Sequence, residues 1–312
     1  GNMKVGIIKG LLYYYDEVLW MSFFENLGVK TITNKEVTKE TIKKGTSMAP
    51  DEACLSLKIF IGEVMELKDK CNAIFIPRLF SIKEHEQVCT NFNALYDLIH
   101  NLFPEVPLIT SNIDLQKHKT EMKAYINIGK QLGYSVIATV TAYLKALDKD
   151  KKIREKNFLA QTEKLKSPSK KILLAGHPYI LYENILTKEI KKIIKDNGFE
   201  IIYSNILPEE LVDIECSKIS KTVHWTHSKK LLAGISYYNS RVDGIILLSC
   251  FPCGPDSLTN ELVKRKVNKP LLKLILENEL PSLKNNTRKI AEERDLKIIG
   301  KKLKDVYESL YQ

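Results

Sequence analysis

Lys171-Ile172-Leu173-Leu174-Ala175 is a short, largely apolar run that ends at Gly176-His177-Pro178-Tyr179. A helix-length stretch follows, Asn184 to Asn197, closed by Gly198. Apolar runs of four or five residues between helices read as parallel strands covered on both faces. The pattern continues with Glu200-Ile201-Ile202-Tyr203 as strand and Ser228 to Ser240 as helix. Asp243 to Leu248 then reads as strand, Asp256 to Lys266 as helix and Pro270 to Leu276 as strand. A basic amphipathic helix, about Leu283 to Tyr311, is expected to end the chain.

The same alternation precedes Lys171. Lys4-Val5-Gly6-Ile7-Ile8 reads as a strand and Asp16 to Leu27 as a helix stopped at Gly28, a position suited to the left-handed C-terminal conformation. Lys30 to Thr33 returns as strand, Leu55 to Lys68 is helix, and Ala73-Ile74-Phe75-Ile76 is a buried strand ended by Pro77. Asn93 to Leu102 reads as helix, Pro107 to Thr110 as strand, and Leu115 to about Lys166 as one or two long helices. Ser167-Pro168-Ser169 is the natural linker, giving an N-terminal α/β domain over 3–166 and a C-terminal one over 170–312. Right-handed crossovers then predict an α/β fold of two doubly wound domains, whose small parallel sheets face a central cleft.

With 312 residues, 44% hydrophobic and 28% charged, the chain has material for two cores. No apolar run reaches the ~18 residues of a membrane span, and the start lacks a secretory apolar segment. Gly1-Asn2-Met3 reads as a tag remnant, and the expectation is a cytoplasmic protein that engages no membrane. The net charge of +10 raises the question of nucleic acid, but only 6 of the 48 basic residues are Arg. Bidentate forks to phosphate and base edges favour Arg, and the lysines are dispersed among acids, as in Lys188, Lys191, Lys192 and Lys195. No nucleic-acid partner is expected.

Six cysteines, Cys54, Cys71, Cys89, Cys216, Cys250 and Cys253, are too few for a disulfide scaffold. Ligands of open parallel sheets collect beyond the carboxyl ends of the strands. Cys89 and Cys253 fall on such loops, and Cys54 just precedes a helix whose unpaired N–H groups favour a thiolate. Three thiolates converging from two domains could hold one face of an iron–sulfur cluster or a zinc ion; buried, inert thiols are the alternative. Cys71, at the start of a strand, and Cys216 read as structural. Cys250-Phe251-Pro252-Cys253 also has the spacing of a redox dithiol, although Gly254-Pro255 interrupts the helix that should follow. His177, at a strand's carboxyl edge, is the candidate catalytic residue, with a structural turn histidine as the alternative. His224 and His227 lack helical ligand spacing and read as packing residues. No G-x-x-x-x-G-K-[ST] loop exists, so the chain itself has no such ATP-binding loop.

These residues carry a resemblance. The chain resembles the 2-hydroxyacyl-CoA dehydratase and benzoyl-CoA reductase superfamily, in particular its acyl-CoA dehydratase activase-related branch. Val5 to Leu11 matches the opening strand; Tyr13-Tyr14-Tyr15, then Trp20 to Phe24 and Leu27-Gly28, match the tyrosines and the Trp-x-x-Phe-Phe helix. Glu52 to Lys58, Ile74 to Leu79, Gly176 to Tyr179, Trp225-Thr226 and Asp243 to Ile246 follow in the family's order. Phe251-Pro252-Cys253-Gly254-Pro255-Asp256-Ser257 is the most specific segment. Ile8 and Lys9 stand where Pro and Arg are usual, Ser56 replaces a Pro, and Glu63 a His.

The resemblance implies that Cys54, Cys89 and Cys253 ligate an iron–sulfur cluster, expected as [4Fe–4S], held between the domains. It implies an iron–sulfur component of an ATP-dependent low-potential electron-transfer system of the 2-hydroxyacyl-CoA dehydratase kind, acting as a lyase or reductase component. The implied partners are a separate ATPase activator, a second cluster subunit and an acyl-CoA substrate. The alternative is a non-catalytic cluster carrier or a zinc-binding scaffold partner.

Overall fold

The computed structural model describes residues 3–250, 252–276 and 300–301. The chain forms two compact units, Gly1–Ile153 with His224–Thr226, and Arg154–Val223 with His227–Gln312. The first contains β1 (Lys4–Ile7), α1 (Tyr13–Leu27), β2 (Lys30–Thr33), α2 (Lys39–Met48), α3 (Leu55–Leu67), β3 (Ala73–Phe75) and β4 (Arg78–Ser81). It continues with α4 (Thr90–Leu102), β5 (Leu108–Ile109), β6 (Asn112–Asp114), α5 (Glu121–Gln131) and α6 (Val136–Leu165). The division falls inside α6, and Ser167-Pro168-Ser169 lies between α6 and the next strand, within the second unit. That unit carries β7 (Lys171–Ala175), α7 (Pro178–Leu181), α8 (Asn184–Asp196), β8 (Glu200–Tyr203) and α9 (Val212–Ser217). It is completed by α10 (Thr226–Asn239), whose first residue belongs to the first unit, then β9 (Gly244–Cys250), α11 (Gly254–Lys266) and β10 (Leu271–Leu276). The expected helix from Leu283 to Tyr311 lies outside the described residues except at 300–301.

Each unit is built on a four-stranded parallel sheet. The orders are β2-β1-β3-β5 and β10-β9-β7-β8. Read by order of appearance within each unit, both are second-first-third-fourth, so the doubly wound topology occurs twice. In each sheet the chain reverses direction between the first and third strands, which are neighbours: Val5 pairs with Ala73 in one and Leu174 with Ile246 in the other. Beyond the carboxyl ends of those two strands lies the crevice where such sheets bind ligands.

The apolar runs explain the layers. Every residue of β7 and of β9 is buried, as strands covered on both faces require. Leu173, Ile202, Leu232, Tyr238, Ile245 and Val263 gather the second core. In the first unit α1 packs aromatic edges on the sheet: Trp20 and Phe24 lie 4.9 and 5.4 Å from the Phe75 ring centroid, in T-shaped geometry. The helix begins at Tyr13, bends at Asp16 (φ −128°, ψ 21°) and ends at Gly28 with φ +74°.

The 115–166 region forms two helices, α5 and α6, preceded by a short 3-10 turn, in keeping with the one or two helices expected there. Two features depart from the sequence reading. β4 and β6 pair as a separate two-stranded parallel sheet. An additional helix, α2, is started by a capping box between Thr38 and Thr41. It crosses α3 so closely that a Cβ on Gly45 would stand 1.7 Å from the Lys58 carbonyl oxygen, and one on Gly62 2.0 Å from that of Thr41.

Candidate functional site

At the switch point of the second unit, β7 delivers Gly176 and His177. The Gly176 amide donates to Ser204 Oγ at 3.3 Å. His177 is the N-cap of α7, with Pro178 following it, and its carbonyl accepts from the amides of Ile180 and Leu181 at 2.9 and 3.0 Å. Its ring stacks on Tyr179 at 5.2 Å, 17° from parallel. His177 Nε2 lies 2.6 Å from Asp256 Oδ1, and both side chains are buried. Asp256 is in the first turn of α11, where the exposed N–H groups favour a carboxylate.

His227, at the start of α10, is also buried. Burial holds its imidazole well below the ordinary histidine range, and the nearby charges of Lys230 and His177 push the same way. Its imidazole is therefore neutral near pH 7. The sequence points to His177, gives Asp256 no role beyond the start of a helix, and reads His227 as a packing residue. The signal for Asp256 was present: an acid three residues after Cys253, just inside a helix opened by Gly254-Pro255.

The three expected ligand cysteines share one structural position. Cys54 is the N-cap of α3, Cys89 of α4 and Cys253 of α11, each with no side-chain capping hydrogen bond, and each is partly exposed. Thr38 and Thr120, by contrast, accept from the amides of Thr41 and Lys123 and cap their helices in the ordinary way. In the first unit Asn91, two residues after Cys89, donates to Cys54 Sγ at 3.9 Å, so the starts of α3 and α4 are neighbours. Cys253 belongs to the second unit, on the same helix as Asp256. Among the described residues no three His, Cys, Asp or Glu side chains form a group that could hold a metal ion. The chemistry of the donors fits an iron–sulfur or zinc centre: soft sulfur ligands, partly exposed, at helix starts that favour thiolate.

The other cysteines are placed differently. Cys71 Sγ donates to the Leu67 carbonyl at 3.5 Å, and burial raises its pKa. Cys216 is buried and donates to the Ser220 carbonyl at 3.7 Å. From the sequence the strand is expected to end at Leu248, with Cys250 in the segment that follows. β9 instead runs two residues further, making Cys250 its buried last residue, while Cys253 starts the helix. A buried strand thiol is a poor partner for exchange chemistry, which needs an accessible thiolate.

No helix among the described residues is long and apolar enough to cross a membrane. No curated protein sequence matches the chain. A solved structure of the SBP FpvC in complex with a Ni2+ ion, from P. aeruginosa, is similar at 12% identity, covering 99% of this chain and 97% of that one. Its TM-score of 0.27 is too low to carry an argument. The profile of the family described as "CoA enzyme activase uncharacterised domain" matches residues 4–207, a span holding Cys54, Cys89 and His177 but ending before Cys253 and Asp256. That span is well over half of the chain, with the whole first sheet and the first two strands of the second, and the chain belongs to this family.

Proposed function

We propose that the protein is an iron–sulfur component of an acyl-CoA dehydratase system, with Cys54, Cys89 and Cys253 as cluster ligands. The observation that carries this reading is their common placement. Three helices begin at cysteines, where Ser, Thr, Asp or Asn would cap better, and none of the three thiols makes a capping bond. Cysteine at such a position gives up capping energy and gains an accessible thiol in the positive field of a helix start. Membership of the CoA enzyme activase family supports the link to acyl-CoA chemistry.

When bound, the cluster supplies one-electron chemistry of a kind amino-acid side chains do not provide. The protein's own residues would hold it through the three thiolates. The His177–Asp256 pair ties the β7 edge to the first turn of α11, and so fixes the helix start that presents Cys253. His177 is the candidate acid–base group of the site. With no P-loop for ATP in the sequence, ATP hydrolysis is assigned to a separate activator protein.

The test is anaerobic reconstitution with iron and sulfide, followed by iron and sulfide analysis, visible absorption and electron paramagnetic resonance. The reading requires stoichiometric cluster in the wild type and its loss in C54S, C89S and C253S. Zinc without labile sulfide would make the protein a zinc-bound scaffold partner instead. Cluster retention in all three variants would remove the ligand assignment.

A further inference from the structure

Asn91 is the second residue of α4, two positions after Cys89. Asparagine is among the weaker helix formers, and at a helix start it is favoured as the N-cap, a place that Cys89 holds here. The Asn91 side chain reaches across to another helix. Its Nδ2 lies 3.9 Å from Sγ of Cys54, 37 residues back in the chain, and both residues are partly exposed. Neither α3 nor α4 has an acid in its first turn, so neither helix start supplies a carboxylate to compete for the amide.

We propose that Asn91 is a positioning residue for the metal centre, whose side-chain amide donates to the Cys54 thiolate when that sulfur ligates. The proposal rests on the assignment of Cys54 as a ligand. It adds a residue from the neighbouring helix that acts through the sulfur and touches no metal itself.

The energetics follow from the change in the acceptor. A thiol sulfur is a weak acceptor, and 3.9 Å is a long contact even for sulfur. Ligation replaces the thiol by a thiolate, which carries negative charge and has no proton of its own to give. Hydrogen bonds to a charged acceptor are shorter and about twice as strong as neutral ones. The same amide therefore stabilises the metal-bound protein more than the metal-free one, and the difference is read as metal affinity. Outer partners of this kind are worth about 10–100-fold in affinity. Reduction of an iron–sulfur cluster adds negative charge near the sulfurs, so a donor there favours the reduced state and raises the potential.

A residue that only helped to start α4 would behave differently. Carboxylates are favoured in the first turn of a helix, so an acid in place of Asn91 would serve the helix at least as well. Beside a ligating thiolate the same acid repels. One substitution thus has opposite signs for the two roles.

The experiment compares the full-chain wild type with N91L, N91D and N93D. Each is melted metal-free, then reconstituted anaerobically with iron and sulfide. Iron retention against a chelator and the midpoint potential, followed by electron paramagnetic resonance, are then measured. N91L keeps the size of the side chain without the donor, and N93D adds the charge of N91D two residues further along α4. Metal-free N91L should melt with the wild type and N91D with it or above it. Reconstituted N91L should hold iron about 10–100-fold more weakly, with its potential shifted downward. N91D should be weaker still, and N93D close to the wild type. Wild-type iron retention and potential in N91L, or equal effects of N91D and N93D, would overturn the proposal. Should N91L melt lower, N91D decides: iron lost from a stable N91D protein supports the role, and iron kept overturns it. A wild type that takes up no cluster would overturn the cluster reading and the Asn91 role with it, whereas a cluster held alike by the wild type and the Asn91 variants overturns the Asn91 role alone.

Discussion

The hydroxyl of Thr226 donates to the carboxylate of Glu86 at 3.3 Å, between residues 140 apart in sequence. Around that contact, the Thr226 amide donates to the Gln87 carbonyl and the Gln87 amide to the His224 carbonyl, each at 2.8 Å, making Gln87 and Trp225 a parallel bridge. Residues His224–Thr226 thus belong to the first unit although the chain on either side belongs to the second. They fasten the loop that leads into Cys89.

Removing the hydroxyl should loosen this strap. Thr226→Val keeps the shape but takes a donor from the buried Glu86, a loss of about 1–3 kcal/mol. Urea unfolding should show that loss, and amide exchange at Gln87 should accelerate in the variant. Unchanged protection of the Gln87 amide would mean that the backbone bridge holds the loop without the side-chain contact.

The sheets were legible in the sequence because their strands are buried on both faces, and a continuous apolar run is visible without knowledge of its partners. α2 was not legible. Its buried residues are Thr41 and Gly45, so it docks through small residues and close backbone approach, which hydrophobic periodicity cannot register. The site was half legible. His177 stood out at a strand end, but Asp256 is 79 residues away and pairs with it only through the adjacency of β7 and β9. Helix starts explain the rest. Reading α4 from Asn93 and α11 from Asp256 placed Cys89 and Cys253 in loops; the helices begin at Thr90 and Gly254, which makes both cysteines N-caps like Cys54.

The α2–α3 contact yields a stability prediction. Gly62→Ala would gain up to about 1 kcal/mol of helix propensity. Its methyl would also meet the Thr41 carbonyl oxygen at 2.0 Å, a backbone atom that no rotamer change can move. Overpacking of this kind costs about 1–3 kcal/mol or more, so a net loss of stability is expected in denaturant unfolding. Ser47→Ala, on the exposed side of α2, should stay within about 0.5 kcal/mol of the wild type. A stable Gly62→Ala protein would show that the two helices do not pack this closely.

His227 gives the fold a pH dependence of definite sign. Its folded pKa lies below the ordinary value of 6.5, so at mildly acidic pH the unfolded chain binds a proton that the folded chain does not. Its contribution is fully present above pH 6.5 and is lost as pH falls below that value toward the folded pKa. The loss approaches about 1.4 kcal/mol per pH unit. Unfolding free energy measured from pH 7.5 to 5 should fall less steeply in His227→Gln than in the wild type. Parallel curves would show that His227 titrates normally in the folded protein.

Serine substitutions at the cysteines should separate two classes by opposite signs of two measurements. At an N-cap, a serine hydroxyl accepts an amide hydrogen bond that the cysteine thiol does not make. Cys54→Ser, Cys89→Ser and Cys253→Ser should therefore leave the metal-free protein as stable as the wild type, or more stable by about 0.5–1 kcal/mol. The same three variants should fail to retain iron after reconstitution. Cys216 is buried beside Val212 and Ile219 in the second core, and Cys71 packs against Gly6. Serine at either position puts a more strongly hydrated group where a thiol packed, at a cost of about 1–3 kcal/mol, and should leave iron content intact. Circular-dichroism melts of the metal-free proteins and iron assays of the reconstituted ones supply both axes. A variant that loses stability and iron together would mark its cysteine as structural, since unfolding alone would account for the lost metal. Stability kept while iron is lost at Cys54, Cys89 and Cys253 is the pattern that only a ligand role at a helix start produces.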